Sequence, residues 1–176
     1  MTRLKMMLAM LALIGGQVLA EEGGYQEEGG YQIELIAFSQ AMPTTEVFGQ
    51  TTSQIKWPGD LTELDAYHKP DHLALADSYT ALSNDSTYRP MLHLAWISPL
   101  NVPVHIRSAD GKMDGYIQLQ PGQVLQLRVD VELSADSLDG SGVVYRLNEN
   151  RPVKPGEIYY LDHPKFGLVV SVQAQG

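Results

Sequence analysis

A chain of 176 residues, 44% of them hydrophobic and 19% charged, can bury one ordinary core and is too apolar for wholesale disorder. Its 21 acids against 12 cations give a formal net charge of −9, which excludes broad binding to nucleic acid or to an anionic membrane surface, because both require clustered cations. The absence of cysteine excludes disulfide scaffolds, zinc ribbons, iron–sulfur clusters, thiol catalysis and lipidation through cysteine.

Arg3 and Lys5 precede an unbroken apolar run from Met6 to Ile14, and Val18-Leu19-Ala20 follows with small or β-branched residues at −3 and −1. This layout predicts a secretory signal peptide over residues 1–20, cleaved after Ala20. The run is far short of the roughly 20 residues that span a bilayer. No second long apolar run follows, so the expected product is a soluble, exported, periplasmic protein without a transmembrane segment. Next comes the hexapeptide EEGGYQ, twice in succession over residues 21–32. Gly-Gly pairs and acids build no core, so residues 21–30 are expected to form a flexible leader ahead of a single domain, residues 31–176.

Tyr31 to Phe38 alternates at first and then turns wholly apolar, predicting a strand buried on one face and on both near its end. Residues 39–70 lack periodicity and hold three prolines, so they read as a long loop with at most a short turn of helix. Leu75, Tyr79 and Leu82 stand at i, i+4 and i+7, predicting one helix over about residues 71–82 with Asp71 as its N-cap. Strand patterns fill the remainder: Tyr88–Ile97, Val102–Arg107, Gly115–Leu119, Leu125–Leu133, Val143–Leu147, Ile158–Leu161 and Gly167–Val172. Turns at Pro121-Gly122 and Asp139-Gly140 separate several of them. Leu125–Leu133 alternates strictly, which predicts an amphipathic strand with one face wet. The expected fold class is α+β: a β-rich single domain, mainly antiparallel sheet, with one helix packed on an apolar face.

No catalytic signature emerges. Ser141 lies in Gly140-Ser141-Gly142 without the G-x-S-x-G spacing, and no P-loop or dinucleotide fingerprint is present. His68 and His72 stand four apart, but Pro70 intervenes and no third ligand is suitably spaced, so neither a metal nor another cofactor is expected. Nothing singles out a pair of acids for glycoside hydrolysis. Two segments stand out from a plain sheet. In Tyr88–Trp96, His93 falls on one face while Leu92, Leu94 and Trp96 share the other. In Tyr159–Gly167, Pro164 forces His163 into extended geometry, and Asp162 is placed to accept from turn amides. One reading makes His93, Trp96, Tyr159, Tyr160, Asp162 and His163 a polar and aromatic surface for a sugar or peptide. The other makes Trp96 and Phe166 core, with Asp162-His163-Pro164 shaping a corner.

These segments also carry a resemblance. Tyr88-Arg89-Pro90-Met91-Leu92-His93-Leu94-Ala95-Trp96, Asp114-Gly115, Tyr145-Arg146-Leu147 and Tyr160-Leu161-Asp162-His163-Pro164-Lys165-Phe166-Gly167 resemble the CsiV family of periplasmic peptidoglycan-binding proteins, and the opening YQIELIAF fits that family's start. The likeness runs over residues 31–172. The chain departs from the family at Ile97-Ser98-Pro99, where Arg-Gln-Pro is usual, and at residues 150–154 and Tyr159-Tyr160, where an arginine run and a His-Tyr pair are usual. The resemblance implies a non-enzymatic binder of peptidoglycan that acts with wall synthesis, partnered by a peptidoglycan synthase or its lipoprotein activator. The alternative is a periplasmic cell-wall hydrolase or other small-ligand enzyme.

Overall fold

The computed structural model describes residues 30–40, 51–135 and 142–175. The expected signal peptide, the leader as far as Gly29, and the Asp139-Gly140 turn with Ser141 lie outside them. Gly30 is already part of the domain, since its carbonyl accepts from the Gln175 amide at 3.1 Å.

In chain order the elements are β1 (Tyr31–Gln40), β2 (Thr51–Thr52), a 3₁₀ turn (Leu64–Ala66), α1 (Ala76–Asn84), β3 (Tyr88–Ser98), β4 (Pro103–Arg107), β5 (Met113–Gln120), β6 (Leu125–Ser134), β7 (Val143–Val153), β8 (Ile158–His163) and β9 (Phe166–Ala174). They make two antiparallel sheets, ordered β3-β1-β9-β8 and β2-β7-β6-β5-β4. Every predicted strand is present, but the apolar faces are far more than one nine-residue helix can cover. Each sheet therefore buries its inner face against the other. Ile33, Leu35, Trp96, Leu168 and Val170 from the first sheet share one cluster with Ile106, Ile117, Leu127, Val129 and Leu147 from the second. The helix covers only a small outer cluster, where Leu75 packs with Ile36 and Phe38, and Leu82 lies against them.

That helix begins five residues later than its periodicity suggests, and Asp71 is not its N-cap. Position N-cap is Leu75, which has no side chain able to cap. The missing acceptor comes from β1: the Glu34 carboxylate accepts from the amides of Ala74 (2.5 Å) and Leu75 (3.0 Å). Residues 71–75 are thereby drawn down to the sheet rather than into a helical turn.

The face of β6 expected to be wet is buried along half its length. Asp130 is 1% exposed and Glu132 5%. The cause is the segment read as a long loop, which is a strap. The Gln54 amide donates to Glu132 Oε1 at 2.9 Å, Trp57 packs over His105 and Tyr116, Thr62 bridges to Val104 of β4, and His68 bridges to Ile97 of β3. The strap crosses the second sheet and ends on the edge of the first, so it also shields the β4 and β3 edges from further pairing. Beneath it, Arg146 grips Asp130 with two bonds of 2.7 Å. β7 runs six residues beyond its predicted end because it pairs with β6 along its length, Leu125 facing Val153. Among the described residues its far side meets β2 only at Val143 and Val144, so Pro152 sits where no ladder donor is missed.

Candidate functional site

The six residues singled out in the sequence do not converge. Trp96 is core, 1% exposed, on the inner face of β3. His93 points the opposite way, under α1, where its Nε2 lies 2.6 Å from Glu34 Oε1 and its ring stacks on Tyr79 at 4.7 Å. Both are structural. The other four lie on β8 and split by alternation. Tyr159 and His163 share the inner face with Leu161, while Tyr160 and Asp162 face outward. The Tyr159 hydroxyl donates to Glu157 and accepts from the Lys154 amide, which closes the β7–β8 turn.

Asp162 does not hold the turn amides. Its Oδ1 accepts from the Tyr160 hydroxyl at 2.7 Å and from Gln40 Nε2 at 3.3 Å. The turn is held by His163 instead, whose Nδ1 accepts from the Lys165 amide at 3.2 Å. Tyr160 lies parallel to Phe38 at 6.2 Å, and both rings sit on Gly167, where a Cβ would stand 2.6 Å from Phe38 Cζ and 2.8 Å from Tyr160 Cε2. Burial first, and then the Asp162 carboxylate, push the Tyr160 phenol up to about 12, so it stays a donor to Asp162 at neutral pH. Because the Asp162 bonds are exposed and water can replace them, Asp162→Ala should lower stability by less than about 1 kcal/mol. A loss above about 2 kcal/mol in urea melts would contradict this.

A groove of about 620 Å³ lies at one end of the sandwich, between the two sheets, and three of these β8 residues touch side chains that line it. Gln40, the partner of Tyr160 and Asp162, lines it from the end of β1. Tyr145, whose ring lies 5.8 Å from His163, lines it from the start of β7. Arg89 comes from the start of β3, Asp110 and Lys112 from the β4–β5 turn, and Lys165 from the β8–β9 turn, while Pro90, Met91 and Leu133 add apolar surface. The turns that carry the charges are braced. Lys165 is tied through its carbonyl to the Gln40 amide at 3.0 Å, and its Nζ stands 5.9 Å from the centre of the Tyr145 ring. Asp110 accepts from the Ser108 hydroxyl (2.6 Å) and the Lys112 amide (3.1 Å), and these bonds hold its carboxyl below the usual range. Among the described residues, this rim carries three cations and one acid beside its apolar surface.

His163 stacks on Phe166 at 5.0 Å behind this rim. Burial pushes its imidazole below the ordinary value; Asp162 pulls it up and Lys165 pushes it down again. A histidine whose folded value is depressed stabilises the fold fully above its unfolded value, near 6.5, and that contribution is lost as pH falls through the lower folded value. The stability gap between the parent and His163→Gln should therefore be largest above pH 6.5 and close on acidification. A gap that widens toward acid would overturn the assignment of a neutral ring.

A second polar cluster lies under the strap. His105 Nδ1 meets Glu63 at 2.8 Å and its Nε2 meets Asp114 at 2.7 Å, with the exposed Trp57 ring edge-on at 5.5 Å. Desolvation lowers the His105 value, but the hydrogen bonds and charges of Asp114 and Glu63 outweigh it, and the net shift is upward. Both ring nitrogens are engaged by carboxylates, which makes this a clasp holding the strap to β4.

Sequence reasoning missed the groove itself. Arg89, Lys112 and Lys165 have no common spacing, and only the chain's folding brings them together. Arg89, Tyr145 and Lys165 do lie inside the segments that carry the family resemblance, which was the one available signal. In comparisons with known proteins, a family model described as "Peptidoglycan-binding protein, CsiV" matches residues 4–174. No curated protein and no solved structure matches the chain.

Proposed function

The chain belongs to the CsiV family of peptidoglycan-binding proteins, and from that premise we propose that it is a non-enzymatic, periplasmic binder of peptidoglycan that supports wall synthesis. The observation that carries this reading is the extent of the family match, residues 4–174, almost the whole chain. The groove supports it as the place of contact, with Tyr160, Asp162 and His163 behind its lining residues Gln40 and Tyr145. An acidic protein that holds an anionic polymer needs local contacts rather than net charge, and the exposed Arg89 on the groove's rim can supply one. The protein partner is a peptidoglycan synthase or its lipoprotein activator. Export follows from residues 1–20, which read as a cleaved signal; among the described residues no helix is long and apolar enough to cross a membrane.

The test uses the exported protein, whose mass should place its first residue at Glu21. Mixed with purified peptidoglycan sacculi, it should sediment with them and release no soluble muropeptides. New soluble fragments would make it a hydrolase, and recovery in the supernatant would end the wall-binding reading.

A further inference from the structure

We propose that the uncovered half of the second sheet's outer face, beside the strap, binds an uncharged N-acetylated saccharide, the glycan strand of the wall polymer; this rests on the peptidoglycan reading and adds to it a surface apart from the end groove. Alternation decides what stands there. Leu127, Val129 and Leu147 point into the core, so Arg128, Asp130, Asn148 and Asn150 point outward. The ladder sets Arg128 opposite Asn150 and Asp130 opposite Asn148. The strap crosses this face from Glu132, held by the Gln54 amide, to His105, held by Glu63. Beyond it Arg128, Asn148 and Asn150 are exposed, and Trp57 on the strap is itself 45% exposed. Tyr116 brings the two sides together, with the Trp57 ring centre 6.3 Å from its own and the Arg128 guanidinium carbon 5.6 Å away. Arg128 stands six residues, or about 20 Å, along β6 from Ser134, so this half lies at the far end of the sheet from the β6–β7 turn.

Charge and shape then select the ligand. The one outward acid beside Arg128 is Asp130, which is buried and gripped by Arg146. None of the ion pairs among the described residues involves Arg128. A single open cation is too little for a polyanion such as nucleic acid. Of the large exposed apolar side chains among the described residues, Trp57 alone stands on this face, which gives an apolar peptide little to bury. A saccharide meets what is there. The flat indole takes the C–H side of a pyranose ring; the Asn148 and Asn150 amides both donate and accept, and the guanidinium donates in a fork, which suits hydroxyls and acetamide oxygens. The Tyr116 hydroxyl points to the same use. Its side chain is buried among these groups and its oxygen has no hydrogen-bond partner among the described residues, so a polar group arriving between Trp57 and Arg128 would satisfy it.

The experiment uses the exported protein and three probes: intact sacculi, glycan strands stripped of peptide by an amidase, and a soluble chito-oligosaccharide, which is uncharged and N-acetylated. The chain has two tryptophans, and Trp96 is core, so a change of indole emission on adding the oligosaccharide reports Trp57. The parent should sediment with sacculi and with stripped glycan, and its emission should shift as the oligosaccharide saturates it. Trp57→Ala should abolish the shift and weaken retention on stripped glycan about tenfold or more. Arg128→Gln, at an exposed side chain outside every described ion pair, should weaken it about fivefold with an unchanged melting temperature. Sedimentation with sacculi but with neither saccharide probe overturns the glycan surface and leaves wall binding intact. Retention on stripped glycan that neither variant alters puts the glycan site elsewhere and overturns this face. Binding of the oligosaccharide without sedimentation on sacculi keeps the saccharide surface and ends the peptidoglycan reading, whereas no binding to any probe defeats both.

Discussion

Glu34→Ala is expected to lower the stability of the domain by about 3–5 kcal/mol and to release α1 from the sheet. Glu34 is 0% exposed in the middle of β1, and one carboxylate holds three donors. Its Oε2 accepts from Ala74 and Leu75 at the head of α1, and its Oε1 lies 2.6 Å from His93 of β3. A truncated side chain leaves two backbone N–H groups and an imidazole buried or half-buried without their acceptor, and each such orphan costs about 1–3 kcal/mol. The N-cap residue, Leu75, makes no side-chain cap of its own. Glu34→Gln keeps one oxygen for the helix amides and should cost less than the alanine variant. Hydrogen exchange reads the mechanism: protection over Ala76–Asn84 should fall much further than protection in β5 and β6. A loss below about 1 kcal/mol, or uniform loss of protection, would show that Glu34 is not the anchor.

Gly115→Ala is expected to do comparable or greater damage by steric means. Gly115 faces Val131 in the β5–β6 ladder, and both strands are central in the second sheet. A Cβ at this position would meet the Asp130 carbonyl oxygen and stand 2.6 Å from Val131 Cα, both of them backbone atoms of the neighbouring strand. No side chain can swing aside, so the strands themselves must separate. The displaced residues include Asp130, whose bidentate contact with Arg146 sits on the same stretch of β6. Overpacking of a core by a methyl group costs about 1–3 kcal/mol when side chains can adjust, and a clash with backbone should exceed that range, at more than about 3 kcal/mol. Urea unfolding checks it directly. An alanine variant within about 1 kcal/mol of the parent would mean that the two strands can part cheaply here.

Much of the secondary structure was legible because strand periodicity is a local property. The strict alternation of Leu125–Leu133 and the apolar run of Tyr31–Phe38 became β6 and β1 nearly residue for residue. The corner at His163-Pro164 was legible for a similar reason: proline constrains its predecessor wherever it stands. The bond that braces the corner was not. Asp162 was the reasonable acceptor by turn chemistry, yet it faces outward to Tyr160 and Gln40, and Gln40 lies 122 residues away.

The sequence by itself determined the strands, the presence of one helix, the acidic balance and the family to which the chain belongs, since each is written in periodicity, composition or motif order. Only the tertiary structure decided which polar faces stay wet. Alternation marks Asp130 and Glu132 as one side of a strand, but whether that side meets water depends on a strap some 75 residues earlier in the chain, and on Arg146 arriving from β7. It likewise decided that α1 starts where Glu34 offers an acceptor rather than at Asp71, because a buried carboxylate with two amides in reach outcompetes an exposed local cap. And it made a groove from Arg89, Lys112 and Lys165, three cations that share no spacing and meet only because two sheets end at the same place. Periodicity fixes what each segment can become, while proximity between distant segments is set by how the faces pair.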